Sequence, residues 1–263
     1  MNEVPLNKNH ATYFVPGLQR GLRVLEILAE SGTPMTINDI TKHMEFGRSS
    51  VFRWVYTLKC LGFIDYSETN KTYTLGARVL NLGFAYLGTQ EIIKQARGFL
   101  EALRDKTEIA THLAICDHSD VLYLDCLQAN RGIQSSANTG KRVSAHASPL
   151  GWLLLSDLSN RELIQLFNDK ELAKFTEQTP SSISQLSQKI IEVSSLGYVI
   201  SFGALKIGGI SIAAPIFDAR GKVIAAIDIS GPDFAFDKDK IKEFYVPEVL
   251  KTAQQISQHI HSN

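Results

Sequence analysis

Through the first sixty positions of this 263-residue chain, apolar side chains recur with a helical period. In Gly47 to Gly62, GRSSVFRWVYTLKCLG, residues Val51, Trp54, Val55 and Leu58 follow the i, i+3, i+4, i+7 spacing of a single apolar stripe. Arg48, Ser49, Ser50 and Arg53 fall on the other side, with Phe52 beside them. Upstream, Thr36 to Met44 predicts a short helix with Ile37, Ile40 and Met44 inward, and Met44 to Gly47 supplies a tight connection containing a glycine. Leu18 to Ser31 predicts a third helix, with Leu18, Leu22, Leu25 and Leu28 on one side and Gly32 beyond its end. After Gly62 the period drops to two. Phe63-Ile64, a turn around Ser67 to Asn70 and the alternating run Lys71 to Leu75 predict a two-stranded hairpin.

Two short helices with a tight turn form a helix-turn-helix, with the Arg48 helix in the recognition position and the hairpin as its wing. The polar face of that helix suits DNA. Guanidinium groups bridge phosphates or read guanine, serine hydroxyls reach phosphate or bases, and a phenyl ring covers a thymine methyl. Lys71, at or near the tip of the wing, is placed to meet phosphate, and Lys42 belongs to the same basic quarter of the chain. The predicted DNA-binding set is Arg48, Ser49, Ser50, Phe52, Arg53, Lys42 and Lys71.

Beyond the wing, Gly76 to Gln90 reads as a helix apolar over much of its circumference, which needs more than one packing partner and suits either a connector and dimerisation element or a helix packed against its own domain. The following pattern predicts a helix at Glu91 to Lys106, a hairpin of Thr111 to Cys116 and Val121 to Leu127, and a strand near Gly132 to Ala137. Helices are expected at Pro149 to Ser156, Asn160 to Asn168 and Ser181 to Leu196. Strands follow at Gly197 to Gly203, Ile210 to Phe217 and Lys222 to Ser230, with Asp218 to Gly221 as the last hairpin turn. A closing helix runs from Asp237 toward His261, kinked or split at Pro247. Strands, then helices, then strands make this an α+β domain with an antiparallel sheet.

Composition adds limits. With 44% hydrophobic residues and a net charge of zero, the chain has enough apolar material for more than one core. Its DNA affinity must come from the local basic cluster, partly offset by Glu26, Glu30, Asp39 and Glu45, so modest non-specific affinity and dependence on oligomerisation are expected. No apolar run is long enough to span a bilayer and MNEVPLNKNH has no signal-peptide pattern, so a cytoplasmic protein without a membrane partner is expected. Cys60, Cys116 and Cys126 form no CxxC pair and read as buried free thiols; neither they nor the scattered histidines have metal-ligand spacing. There is no G-x-S-x-G, phosphate-binding loop or dinucleotide fingerprint, and His146 with Ser148 lacks a third orienting residue, so neither an enzyme nor a cofactor is expected.

The stretches LQRGLRVLEIL, GRSSVFRWVYTLKCLGFI, YTLGARVLNLG, SAHASPLGWLLLS, LGYVISFGALKIGGISIAAPIFD and AAIDISGP occur in an order that resembles the IclR family of bacterial transcriptional regulators over nearly the whole chain. The resemblance implies a winged helix-turn-helix at 16–75, a linker or dimerisation helix at 76–90 and a GAF-like effector-binding domain at 91–263. It also implies a homodimer or homotetramer on double-stranded operator DNA, with catabolic operons as the family expectation. Carried over through these anchors, the effector pocket takes in Leu150, Ser201, Ser211, Asp228 and Ser230. Pro149 stands in a turn where the family commonly has glycine-rich backbone donors, which removes one N–H. Ala204 stands where many relatives have an acidic residue.

Alternation puts Ile224, Ala226, Asp228 and Ser230 on one strand face, where a carboxylate is costly to bury without a partner. Asp228 is either a structural carboxylate bonded to nearby backbone or a basic side chain, or a ligand contact. Fewer donors at Pro149 and an added acceptor at Asp228 point away from a simple small carboxylate. They point toward a hydroxylated, aromatic or amine-bearing metabolite.

Overall fold

The computed structural model describes residues 10–130, 135–167 and 172–262. The chain divides into two compact units, one ending at Tyr86 and the other starting at Leu87. In the first, a helical turn α1 (His10–Tyr13) precedes α2 (Pro16–Ser31), which has proline in its first turn and stops at Gly32, where φ is 61°. The helix α3 (Ile37–Met44) begins at a capping box: Asp39 N–H donates to Thr36 Oγ1 at 3.3 Å, and Thr36 N–H donates to the Asp39 carboxylate at 3.2 Å. Glu45, in the left-handed region at φ 54°, ends α3, and Gly47 starts α4 (Arg48–Cys60). Strands β1 (Met35–Thr36), β2 (Ile64–Ser67) and β3 (Thr72–Leu75) form a three-stranded sheet in the order β1-β3-β2, the last two being the wing.

Val24, Ile27, Leu28, Ile40, Met44, Val51, Val55 and Leu58 close the core of this unit, with Ile64 and Tyr73 from the wing. The stripe assigned to α2 is corrected: Leu18 and Leu22 are exposed, and the buried side turns on Val24, Ile27 and Leu28. Trp54 is half-buried, edge-on to Phe46 at 5.3 Å. The expected linker helix is α5 (Arg78–Gly88); none of its residues is buried, and Leu80, Leu82, Phe84 and Tyr86 are exposed.

The second unit is built on a six-stranded antiparallel sheet. Its members are β4 (Thr111–Asp117), β5 (Asp120–Leu127), β6 (Arg142–Ser144), β7 (Val199–Phe202), β8 (Gly209–Phe217) and β9 (Val223–Pro232), in the order β6-β5-β4-β9-β8-β7. One face carries Leu113, Ile210, Ile212, Ala214, Ile227 and Ile229 against α6 (Glu91–Thr107) and α10 (Val246–His261). The other carries Ala114, Tyr123, Ala213 and Ala226 against α7 (Pro149–Leu154), with α8 (Asn160–Phe167) and α9 (Ile183–Leu196) behind it. Period-two alternation, interrupted at the register shifts, sorts the two cores.

Several expectations shift. Of the strand expected near Gly132 to Ala137, residues 131–134 lie outside the described residues and 135–137 are not a strand; the edge strand is β6. Asn168 at the expected end of α8 is likewise outside the described residues. Ile224 packs with the α10 side rather than sharing the Asp228 face, because a register shift at Ile216/Phe217 breaks the alternation. The segment before Pro247 is a 3₁₀ turn at Lys238–Lys240 and a π turn at Ile241–Tyr245, so the proline sits in the first turn of α10, where its missing N–H is least costly. Cys60 and Cys116 are exposed and Cys126 is half-buried, against the expectation of buried thiols.

Candidate functional site

The α4 helix shows its predicted duality. Val51, Val55 and Leu58 are buried, and Arg48, Ser49, Ser50, Phe52 and Arg53 are all exposed. Among the described residues, neither Arg48 nor Arg53 forms an ion pair, whereas other basic groups of this unit are engaged. Arg23 bonds Glu26 and Glu30, Arg20 lies over the rings of Phe46 and Trp54 at 4.5 and 5.6 Å, and Lys59 lies over Tyr66 at 4.8 Å. Lys42 is 3.7 Å from Asp39, and Lys71, at the wing turn with φ 55°, is 3.1 Å from Glu68; both are exposed. Phe52 stacks with Tyr56 at 6.2 Å, so an exposed aromatic pair, not a lone ring, flanks the arginines. Tyr56 is a surface residue that the periodic pattern did not single out.

In the second unit, cross-strand register brings four of the predicted polar residues together. Ser201 pairs with Ser211, Ser211 with Ser230, and Ala213 with Asp228. Ser211 Oγ donates to Asp228 Oδ2 at 2.8 Å. The remaining oxygen has a partner that sequence reasoning missed: His112 Nδ1 lies 2.7 Å from Asp228 Oδ1, with Ser230 Oγ 3.3 Å from the same nitrogen. His112 is fully buried and Asp228 nearly so, and the two are direct neighbours across β4 and β9. The signal was present in THLAIC, where a histidine interrupts an apolar strand just as Asp228 interrupts AAIDIS.

Tyr123 stands edge-on to His112 at 5.6 Å, and Cys126 is its neighbour on β5. Burial, with the Asp228 charge nearby, pushes both the Tyr123 phenol and the Cys126 thiol up, the latter to about 12. Leu150 is buried on α7, in the cluster that covers this face. Pro149 occupies the first turn of that six-residue helix.

His146 is structural. Its Nδ1 is 2.7 Å from Ser144 Oγ, its Nε2 is 2.9 Å from the Ala173 carbonyl, and Trp152 Nε1 donates to its carbonyl at 2.7 Å. No group of three or more His, Cys, Asp or Glu among the described residues is arranged to hold a metal ion. No helix among them is long and apolar enough to cross a membrane.

A winged helix-turn-helix with a free basic recognition face, followed by an α+β unit with a polar strip on a covered sheet face, defines a DNA-binding transcriptional regulator with an effector domain. The model described as the IclR helix-turn-helix domain matches residues 17–68, and that described as bacterial transcriptional regulator IclR C-terminal matches residues 84–258. The chain belongs to the IclR family. It is 26% identical over 230 residues to the HTH-type transcriptional regulator XynR of Escherichia coli, covering 88% of this chain and 91% of that one. It is 28% identical over 244 residues to the Pca regulon regulatory protein of Pseudomonas putida, covering 92% and 83%. The solved structure of RHA06195 from Rhodococcus sp. RHA1 superposes with a TM-score of 0.78 at 28% identity, covering 94% and 98%. These relatives are named as regulators and repressors of transcription, not enzymes.

Proposed function

We propose that the chain binds a specific operator through Arg48, Ser49, Ser50, Phe52 and Arg53, with Lys42 and Lys71 on phosphates, and that a small metabolite on the Asp228 face modulates that binding. The observation that carries the DNA reading is the exposed α4 face, whose two arginines have no ion-pair partner among the described residues. The effector residues are Leu150, Ser201, Ser211, Asp228 and Ser230, and the regulated genes form a catabolic operon. The exposed apolar residues of α5 support assembly as a homodimer or homotetramer.

The effector is a hydroxylated, aromatic or amine-bearing metabolite. The buried carboxylate of Asp228 supports this reading, because an unpaired ligand carboxylate beside it is electrostatically unfavourable. A Microbacterium hydrocarbonoxydans homologue is described in complex with 4-hydroxybenzoate, an aromatic that carries a hydroxyl as well as a carboxylate, which supports the hydroxylated and aromatic part of this reading. Coupling between effector and operator of about 1–3 kcal/mol suffices to change occupancy several-fold or more.

The test is fluorescence anisotropy on DNA from the intergenic region beside the gene, against scrambled DNA at one stated salt concentration. The expected result is a preference for the native fragment that Arg53→Ala reduces by about 1–3 kcal/mol while leaving effector binding intact. Equal binding of both fragments by the wild type, with and without a metabolite extract, would overturn the operator reading for that region.

A further inference from the structure

The Asp228 face holds a polar atom that nothing among the described residues satisfies. Nε2 of His112 is shut off from water and has no hydrogen-bond partner among the described residues, although the opposite side of the ring is bonded twice. An ionised carboxylate only accepts, so the proton between Asp228 Oδ1 and the ring sits on Nδ1. With one proton on the ring, at Nδ1, Nε2 carries a lone pair and is a buried acceptor without a donor among the described residues. Such an atom is expensive to leave unmet, and native interiors rarely do so. Ser211, the nearest hydroxyl on Asp228, already donates to the second carboxylate oxygen.

We propose that His112 selects the effector, by accepting a hydrogen bond at Nε2 from an O–H or N–H of the ligand, as a phenol or alcohol provides. This rests on the reading of the Asp228 face as the effector site. The chain of contacts has one direction: Ser211 donates to Asp228, Asp228 holds the Nδ1 proton, and Nε2 is left to accept. An anionic group at this position would face the lone pair and be repelled unless the ring took a second proton.

The surroundings fit an aromatic donor. Tyr123 presents its ring edge-on at 5.6 Å, and Leu150 belongs to the same apolar cluster as Tyr123. Because Nε2 is closed off, a ligand reaches it only when side chains over this face move. The element packed across β4, β5, β7, β8 and β9 on that side is α7. His112 therefore acts as a specificity-determining residue, and Asp228 and Ser211 as positioning residues behind it.

The experiment uses the full chain carrying ¹⁵N-histidine and labelled leucine methyl groups, titrated separately with phenol, its methyl ether anisole, and benzoate at neutral pH. His112 is assigned by its loss in His112→Gln or, where that variant does not fold, from its proximity to Tyr123. In the free protein the expected signal is a neutral ring with the proton on Nδ1. Phenol is expected to shift Nε2 into the hydrogen-bonded range, and anisole to bind at least about tenfold more weakly, since a site built around a hydroxyl rejects the analogue lacking it.

A free protein with the proton on Nε2, or with a doubly protonated ring, would overturn the proposal. So would phenol and anisole binding equally. A probe that perturbs the Leu150 methyl groups but leaves His112 Nε2 unchanged removes His112 from selection and leaves the effector reading standing. Silence at both residues with all three probes overturns both.

Discussion

His112 and Asp228 explain each other, because each would be a costly intrusion in an apolar strand without the other. Breaking such a buried pair exposes that dependence. His112→Ala is expected to lower the urea unfolding free energy by about 3–5 kcal/mol, and replacing both residues by leucine to cost less than the two single leucine substitutions summed. Cys126 carries a pH dependence. It is held protonated in the fold, at about 12, mainly by burial. An unfolded thiol ionises near about 8.5, so above that pH the unfolded state binds fewer protons than the native one and stability falls. The melting temperature is expected to drop from pH 8 to pH 10, with a shallower slope in Cys126→Ala. Sequence patterning misplaced the thiols in the interior because Cys is on average a buried residue, whereas Cys116 sits near the end of a strand beside its turn.

At the scale of elements, the recognition helix and wing were readable from periodicity, because each buries one face against one layer, and most strands of the second unit from short apolar runs bounded by turns. The failures share a cause. Leu18 and Leu22 follow helical spacing as well as Leu28 does, and only the packing of α3 and α4 decides which arc of α2 is covered. The three-residue strand β6 is too short to alternate, and its place is set by pairing with β5. The Asp228 face was legible in part: Asp228 was visible as a charge in a strand, but its pairing with His112 is a contact between residues 116 positions apart.

The α7 helix is held close by a glycine. A Cβ on Gly151 would lie 2.1 Å from the Ala145 carbonyl oxygen and 2.6 Å from Ala145 Cα, both backbone atoms with no room to yield. Gly151→Ala is therefore expected to push α7 off the Ala145–Ala147 turn and destabilise the second unit by more than about 2 kcal/mol. In denaturant melts the loss should appear in the signal of buried Trp152 on α7 and spare the half-buried Trp54.

For the whole molecule the decisive numbers are a net charge of zero and two exposed arginines per recognition helix. A single copy thus offers few phosphate contacts, and affinity falls short of what a genomic site requires unless two recognition helices engage together. The apolar surface points the same way. Leu80, Leu82 and Phe84 are each at least 60% exposed on α5, a display that a lone soluble chain rarely leaves to water. If pairing through α5 makes the operator contact bivalent, joining two weak modules raises affinity by about 10²–10⁴ without any new contact in the groove.

Leu80→Lys combined with Phe84→Lys is accordingly expected to move the sedimenting species toward the 29.2 kDa single chain. Operator affinity should drop by at least about a hundredfold, while the α4 face and the folding of each unit stay intact. Intact circular dichroism with unchanged sedimentation and unchanged operator binding would show that α5 does not pair the chains.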